Sequence, residues 1–101
     1  MSEAERHFAS FLRGRGLVLE TQVQFGSSTL DIWFPGTRIV VEFDGDYWHS
    51  LPRMVAKDAR KDAALFCAGY SVVRVLQSEF DADPDAVLRR IENMLSREVA
   101  A

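Results

Sequence analysis

The chain has 101 residues, 48% of them hydrophobic and 27% charged, a balance that supports one modest packed core and excludes disorder as the main state. Its net charge of −3 argues against a broadly basic nucleic-acid binder, so any DNA contact has to come from local patches. No apolar run approaches the roughly 20 residues that span a bilayer, the opening MSEAERHF is too polar for a secretory signal, and the lone Cys67 allows no internal disulfide, so a cytoplasmic protein away from membranes is expected.

Ser2 followed by Glu5 is a capping-box pattern, and Ala4, Phe8, Phe11 and Leu12 keep helical spacing, which predicts a first helix from about Glu3 to Arg13, stopped by Gly14 and Gly16. LVLETQVQF, residues 17–25, reads as a strand, and Gly26-Ser27-Ser28 as a turn. Strands follow near 29–34 and 38–43, joined by Pro35-Gly36-Thr37, a loop short enough to make them antiparallel neighbours. After a loop from Gly45 to Ser50, Pro52 opens a helix over about 52–68 whose apolar line is Val55, Ala59, Ala63 and Phe66. SVVRVLQ, residues 71–77, is a fourth strand, and Asp83-Pro84 starts a last helix striped by Val87, Leu88, Ile91, Met94 and Leu95. The order α-β-β-β-α-β-α predicts an α/β (α+β) domain over residues 1–101, with a four-stranded mixed sheet flanked by helices.

Acids interrupt the two central strands. Alternation places Ile39, Val41 and Phe43 on one face of the third strand and Val40, Glu42 and Asp44 on the other; in the second it sets Leu30, Ile32 and Phe34 against Thr29, Asp31 and Trp33. Pairing then brings Asp31 close to Glu42 and Asp44. Clustered carboxylates poor in water either hold protons or bind a hard cation, and Mg²⁺ prefers such oxygens with open positions left for water and phosphate. Asp44 precedes Gly45 and serves equally as a turn residue.

His49 leaves the acidic strand behind Tyr47 and Trp48, within reach of a leaving group or water, or in a purely structural role. Tyr47 and Trp48 either stack on bases or cap the core. Arg53, Lys57, Arg60 and Lys61 make a basic stripe at helical spacing, suited to backbone phosphates or to plain solvation, and Arg6, Arg13 and Arg15 form a second basic group. Asp58 and Asp62 lie one turn apart and are either neutralised by the neighbouring lysines and arginines or held for the site. Glu5 is the reciprocal acid of the cap or an acid facing the sheet. His7, His49 and Cys67 lack zinc spacing, and Cys67 is expected to pack.

These residues resemble the PD-(D/E)XK nuclease superfamily, and within it the Vsr-like branch related to very-short-patch-repair endonucleases. SEAERHFASFLRGRGL resembles the opening helix of that branch, TLDIWFPGTRIVVEFDGDYWH its metal hairpin with trailing aromatic, Trp and His, and KDARKDAALFCAGYSVVRV the helix, break and strand that follow. The resemblance implies a restriction-endonuclease-like αβββαβα core. It gives Asp31 the role of the first metal aspartate, Glu42 that of the second acid, and Phe43 a metal-facing carbonyl. Asp44 occupies the usual lysine position, so a lysine that orients water is missing there. The related EDxHD pattern maps onto Glu5, Asp31, His49 and Asp58.

The function this implies is a DNA endonuclease that uses Mg²⁺, with Mn²⁺ able to substitute, and works in repair, restriction or mobile-element biology. Its acidic charge and small size call for a homodimer, or for an additional DNA-targeting domain or protein. The alternative is a nucleic-acid-binding or protein-interaction module that keeps the fold without catalysis, which the acid at position 44 favours.

Overall fold

Helix α1 (Glu3–Gly14) begins where the Ser2 hydroxyl accepts the Glu5 N–H at 3.1 Å, the cap expected from the sequence. In this computed structural model residues 1–45 and 51–100 are described, the side chains of residues 99 and 100 excepted. Past Gly14 the chain turns through Gly16, whose φ of +90° suits a residue without a Cβ, and the Leu17 N–H returns to the Leu12 carbonyl. That capping turn explains why strand β1 runs only over Glu20–Phe25 and not from residue 17. Leu19 is nevertheless buried in the core from the connection.

Strands β2 (Ser28–Trp33) and β3 (Ile39–Asp44) complete an antiparallel meander, and helix α2 (Pro52–Cys67) crosses over to strand β4 (Ser71–Leu76), which runs parallel to β3. The sheet order is β1-β2-β3-β4. A short helix α3 (Gln77–Ala82) follows β4 directly and was not expected. Six residues are too few to show helical periodicity. It is held by the Glu79 carboxylate, which accepts the Leu76 N–H at 2.9 Å, and by buried Phe80. Helix α4 (Pro84–Ala100) closes the chain's described part.

One face of the sheet carries the main core. Phe8, Ala9 and Leu12 of α1 and Val87, Leu88 and Ile91 of α4 pack on Ile32, Ile39, Val41, Phe43, Val73 and Val75. Phe8 stacks on Phe43 at a centroid distance of 4.6 Å and meets Phe80 edge-on at 4.9 Å. The opposite face holds a smaller cluster of Leu30, Val40 and Leu65, with Val23, Phe25, Trp33, Tyr70 and Val72 around it. Strand β3, covered on both sides, is buried from Ile39 through Phe43.

Three side-chain placements differ from the sequence reading. Leu30 lies on the α2 side and not with Ile32 and Phe34, because strict alternation fails at Asp31. The line Val55, Ala59, Ala63 and Phe66 of α2 points outward, with Phe66 79% exposed, while Leu65 is the buried anchor. Met54, Asp58, Lys61 and Asp62 are the half-buried residues that share its face. The apolar-stripe rule failed there because the sheet beneath α2 presents Glu42, Asp44 and Arg74, so charge packs against charge. Cys67, expected to pack, is exposed at the end of that helix. No helix among the described residues is long and apolar enough to cross a membrane.

Candidate active site

The β2–β3 ladder is short. Ile32 pairs with Val41 and Trp33 with Val40, and the next rung, where Asp31 meets Glu42, is not a backbone pair. Side chains take over. The Asp31 carboxylate Oδ2 accepts the Phe43 N–H at 2.8 Å, and the Glu42 carboxylate Oε2 accepts the Asp31 N–H at 3.2 Å. Each acid thereby satisfies a backbone donor that the separated strands leave unpaired, and the exchange locks the two carboxylates side by side in the fork between the strands.

Glu42 is 3% exposed, the only buried charged residue among those described. Its Oε1 has no hydrogen-bond donor in good geometry but lies 2.5 Å from the Lys61 ammonium, which also donates to the Thr29 carbonyl at 2.6 Å. Burial, and then the hydrogen bond and charge of Asp31, push the Glu42 carboxyl up to about 8 against the opposing pull of Lys61. The pair therefore holds a proton near neutrality when no other cation joins Lys61. Glu5 approaches from α1, and burial followed by the charge of Asp31 raises its carboxyl as well.

That proton sets a pH dependence. A carboxyl whose folded value lies above its unfolded one binds its proton more tightly in the native state, so its contribution is fully present below the unfolded value and lost as pH rises through the folded one. Urea unfolding is expected to show stability falling between about pH 4.5 and about 8, by on the order of 3–5 kcal/mol. Glu42→Gln removes that slope. A wild-type profile rising over the same interval, relative to the variant, contradicts the assignment.

A second cluster lies across the parallel β3–β4 pair, where Glu42 is opposite Arg74. The Arg74 guanidinium donates to Asp44 at 2.7 Å, to both oxygens of Asp62 at 2.7 and 2.8 Å, and to Asp58 at 3.5 Å. Burial alone would lower its pKa, but the hydrogen bonds and charges of Asp62 and Asp44 outweigh that and raise it. Asp44 and Asp58, both candidate site acids, are thus gathered with Asp62 by one internal cation.

The structure therefore brings Asp31, Glu42 and Phe43 together, sets Glu5 beside them, and turns Asp44 and Asp58 to Arg74. Lys61, read as a phosphate ligand, points inward to Glu42. Arg53, Lys57 and Arg60 are exposed on α2. Tyr47, Trp48 and His49 lie outside the described residues. Arg74 was missed, although a charge inside the β-branched run SVVRVL carried the same signal as Glu42 in IVVEFD. Gln22, whose amide donates to the Glu5 carboxylate at 3.4 Å, was missed too.

Comparison with known proteins agrees with this fold. The catalytic domain of the homing endonuclease I-Bth0305I superposes with a TM-score of 0.80 at 25% identity, covering 98% of this chain and 99% of that domain. The uncharacterized protein YcjD of Escherichia coli strain K12 is 34% identical over 96 residues, which span 92% of this chain and 80% of YcjD. The mixed four-stranded sheet with its helices is that of the homing endonuclease domain, and the REase_MTES_1575 model matches residues 5–95. With the carboxylate fork inside the matched region, the chain belongs to the REase_MTES_1575 family, a restriction-endonuclease-like family of nucleases.

Proposed function

We propose that the chain is a Mg²⁺-dependent DNA endonuclease of the Vsr-like branch, which hydrolyses or nicks phosphodiester bonds in repair, restriction or mobile-element biology within the cytoplasm. The observation that carries this reading is the contact of Asp31 with Glu42 across the interrupted ladder, where two carboxylates are held side by side and burial with the charge of Asp31 raises the Glu42 carboxyl. Among the described residues no group of three or more His, Cys, Asp or Glu side chains has the spacing of a metal cage. Mg²⁺ needs none, since it is usually held by one or two carboxylates with water and phosphate oxygens completing the shell. Asp31, Glu42 and the Phe43 carbonyl fit that requirement, and Mn²⁺ would take the same oxygens. Bound there, the ion would supply Lewis acidity toward the phosphate and the attacking water.

The chain's own groups do the rest. Lys61 stands on Glu42 from α2 and provides the cationic charge that Asp44 cannot provide from the usual lysine position. Glu5 accepts a proton or a water hydrogen bond at the fork, and His49, from the segment after β3, acts as general base or acid. Asp58, fixed by Arg74, orients His49 or a water. An open groove of about 380 Å³ runs beside the fork between the β1–β2 turn and α2, lined by Ser27, Ser28, Lys57, Arg60 and Lys61. Two hydroxyls and the exposed cations Lys57 and Arg60 suit the phosphates flanking the cut, with Arg53 extending the stripe and Tyr47 and Trp48 stacking on bases. The solved homing endonuclease domain supports DNA as substrate. The formal charge of −3 makes a homodimer or an additional DNA-targeting domain or protein the expected source of tight binding.

Supercoiled plasmid provides the test. Mg²⁺ or Mn²⁺ is expected to convert it to open circles, and a chelator to stop the reaction. Replacing Lys57 and Arg60 by Ala is expected to weaken DNA binding across sequences and to lower its salt slope by roughly one per residue. Binding without nicking under every metal condition would favour the non-catalytic module.

A further inference from the structure

Gln22 is the only non-glycine residue with a positive φ, +54°, among the described residues; the other four such positions, 16, 26, 36 and 69, are glycines. The left-handed region costs a side-chain-bearing residue stability that glycine does not lose there. Gln22 stands in the middle of β1, at the level of Asp31: Thr21 pairs with Ile32 and Val23 with Leu30, and the rung between them is open. On its two sides the sheet changes phase. Ile32 packs in the α1 and α4 core while Leu30 and Val23 pack on the α2 side, although residues two apart in a regular strand share a face. The kink is thus what lets Asp31 leave the regular alternation and reach Phe43 and Glu42.

The backbone asks for glycine at this point, and the sequence carries a long amide. Its Nε2 donates to Glu5 Oε2 at 3.4 Å, which ties the strand kink to the helix acid. The Ser2 hydroxyl at the helix cap also bonds the Glu5 carboxylate, and the Gln22 amide is the contact that ties that carboxylate to β1.

We infer that Gln22 is a positioning residue for hydrolysis at the Asp31–Glu42 fork, with its left-handed backbone setting Asp31 out of the ladder and its amide orienting Glu5 for the attacking water. This rests on the nuclease reading above. Groups that hold a reacting residue in place are worth about 10- to 100-fold when removed, and they act on turnover more than on substrate binding.

Gln22→Gly keeps the backbone turn and deletes the amide. It is expected to cut the nicking rate at saturating plasmid about tenfold or more, to leave plasmid affinity within about twofold, and to raise Tm because the strained φ no longer carries a side chain. Gln22→Glu, which keeps size but sets a carboxylate against Glu5, is expected to lose at least as much rate. A role confined to folding would instead lower stability and activity together in Gln22→Gly. Asp31→Asn run alongside separates the two levels. Wild type that nicks, with Gln22→Gly equally fast or slower only in step with lost stability, overturns the role of Gln22. Wild type no faster than Asp31→Asn overturns the nuclease reading on which it rests.

Discussion

Asp31→Asn is expected to lower metal-dependent plasmid nicking by about 10²–10³-fold while leaving the protein as stable as wild type or more so. The amide oxygen keeps the position that accepts the Phe43 N–H, so the local backbone has no reason to move. What disappears is one negative charge beside Glu42. Asp31 is a cause of the raised Glu42 carboxyl, so its neutralisation lets Glu42 ionise more readily and pair fully with Lys61. Relief of that repulsion is worth on the order of 1 kcal/mol, or several degrees in Tm for a domain of this size. Opposite signs in activity and stability are what a functional carboxylate pair produces. A structural pair loses both together. Nicking assays and thermal melts on one preparation decide between them.

Arg74→Met is expected to destabilise the fold at pH 7 by about 2–4 kcal/mol. Methionine fills much of the volume but removes the cation that Asp44, Asp58 and Asp62 share. The Arg74 side chain is 20% exposed, so water screens part of the repulsion and the figure stays below that for a fully buried pair. Arg74→Lys should recover only part of the loss, because one ammonium cannot replace two guanidinium nitrogens that serve acids on β3 and on α2. The same contact supports the crossover: among the described residues of α2 Leu65 is the single buried apolar one, and this ion cluster, with Lys61 on Glu42 and on the Thr29 carbonyl, also ties the helix to the sheet. Urea titrations of wild type, Arg74→Lys and Arg74→Met should therefore order in that sequence.

The element order was legible because nearly every boundary carries a chemical mark: Ser2 at the first cap, Gly14 and Gly16 after it, Pro35-Gly36 in the hairpin, Pro52 at the crossover helix and Gly69 beyond it. The acids Asp31 and Glu42 were legible for a simpler reason. Each stands between residues that belong in a core, and burial of a charge in such a run has to be compensated. What stayed hidden depends on departures from periodicity or on distance along the chain. Alternation assigned Leu30 to the wrong face because nothing local announces the left-handed Gln22 on the neighbouring strand. The inward face of α2 was misread because its partners are charges contributed by β3 and β4, so the outward Val55 and Phe66 mimicked a core stripe. Lys61 was counted with its exposed neighbours although a single turn of helix separates a phosphate ligand from a partner of Glu42. Arg74 is the partner of acids on two other elements, and only the parallel register brings them together.

The most direct measurement is anomalous diffraction from crystals soaked in Mn²⁺. The account predicts a peak in the fork between β2 and β3, about 2.2 Å from carboxylate oxygens of both Asp31 and Glu42, with Phe43 contributing its carbonyl. Saturating Mn²⁺ that leaves the fork without a peak, with Lys61 still seated on Glu42, would contradict it.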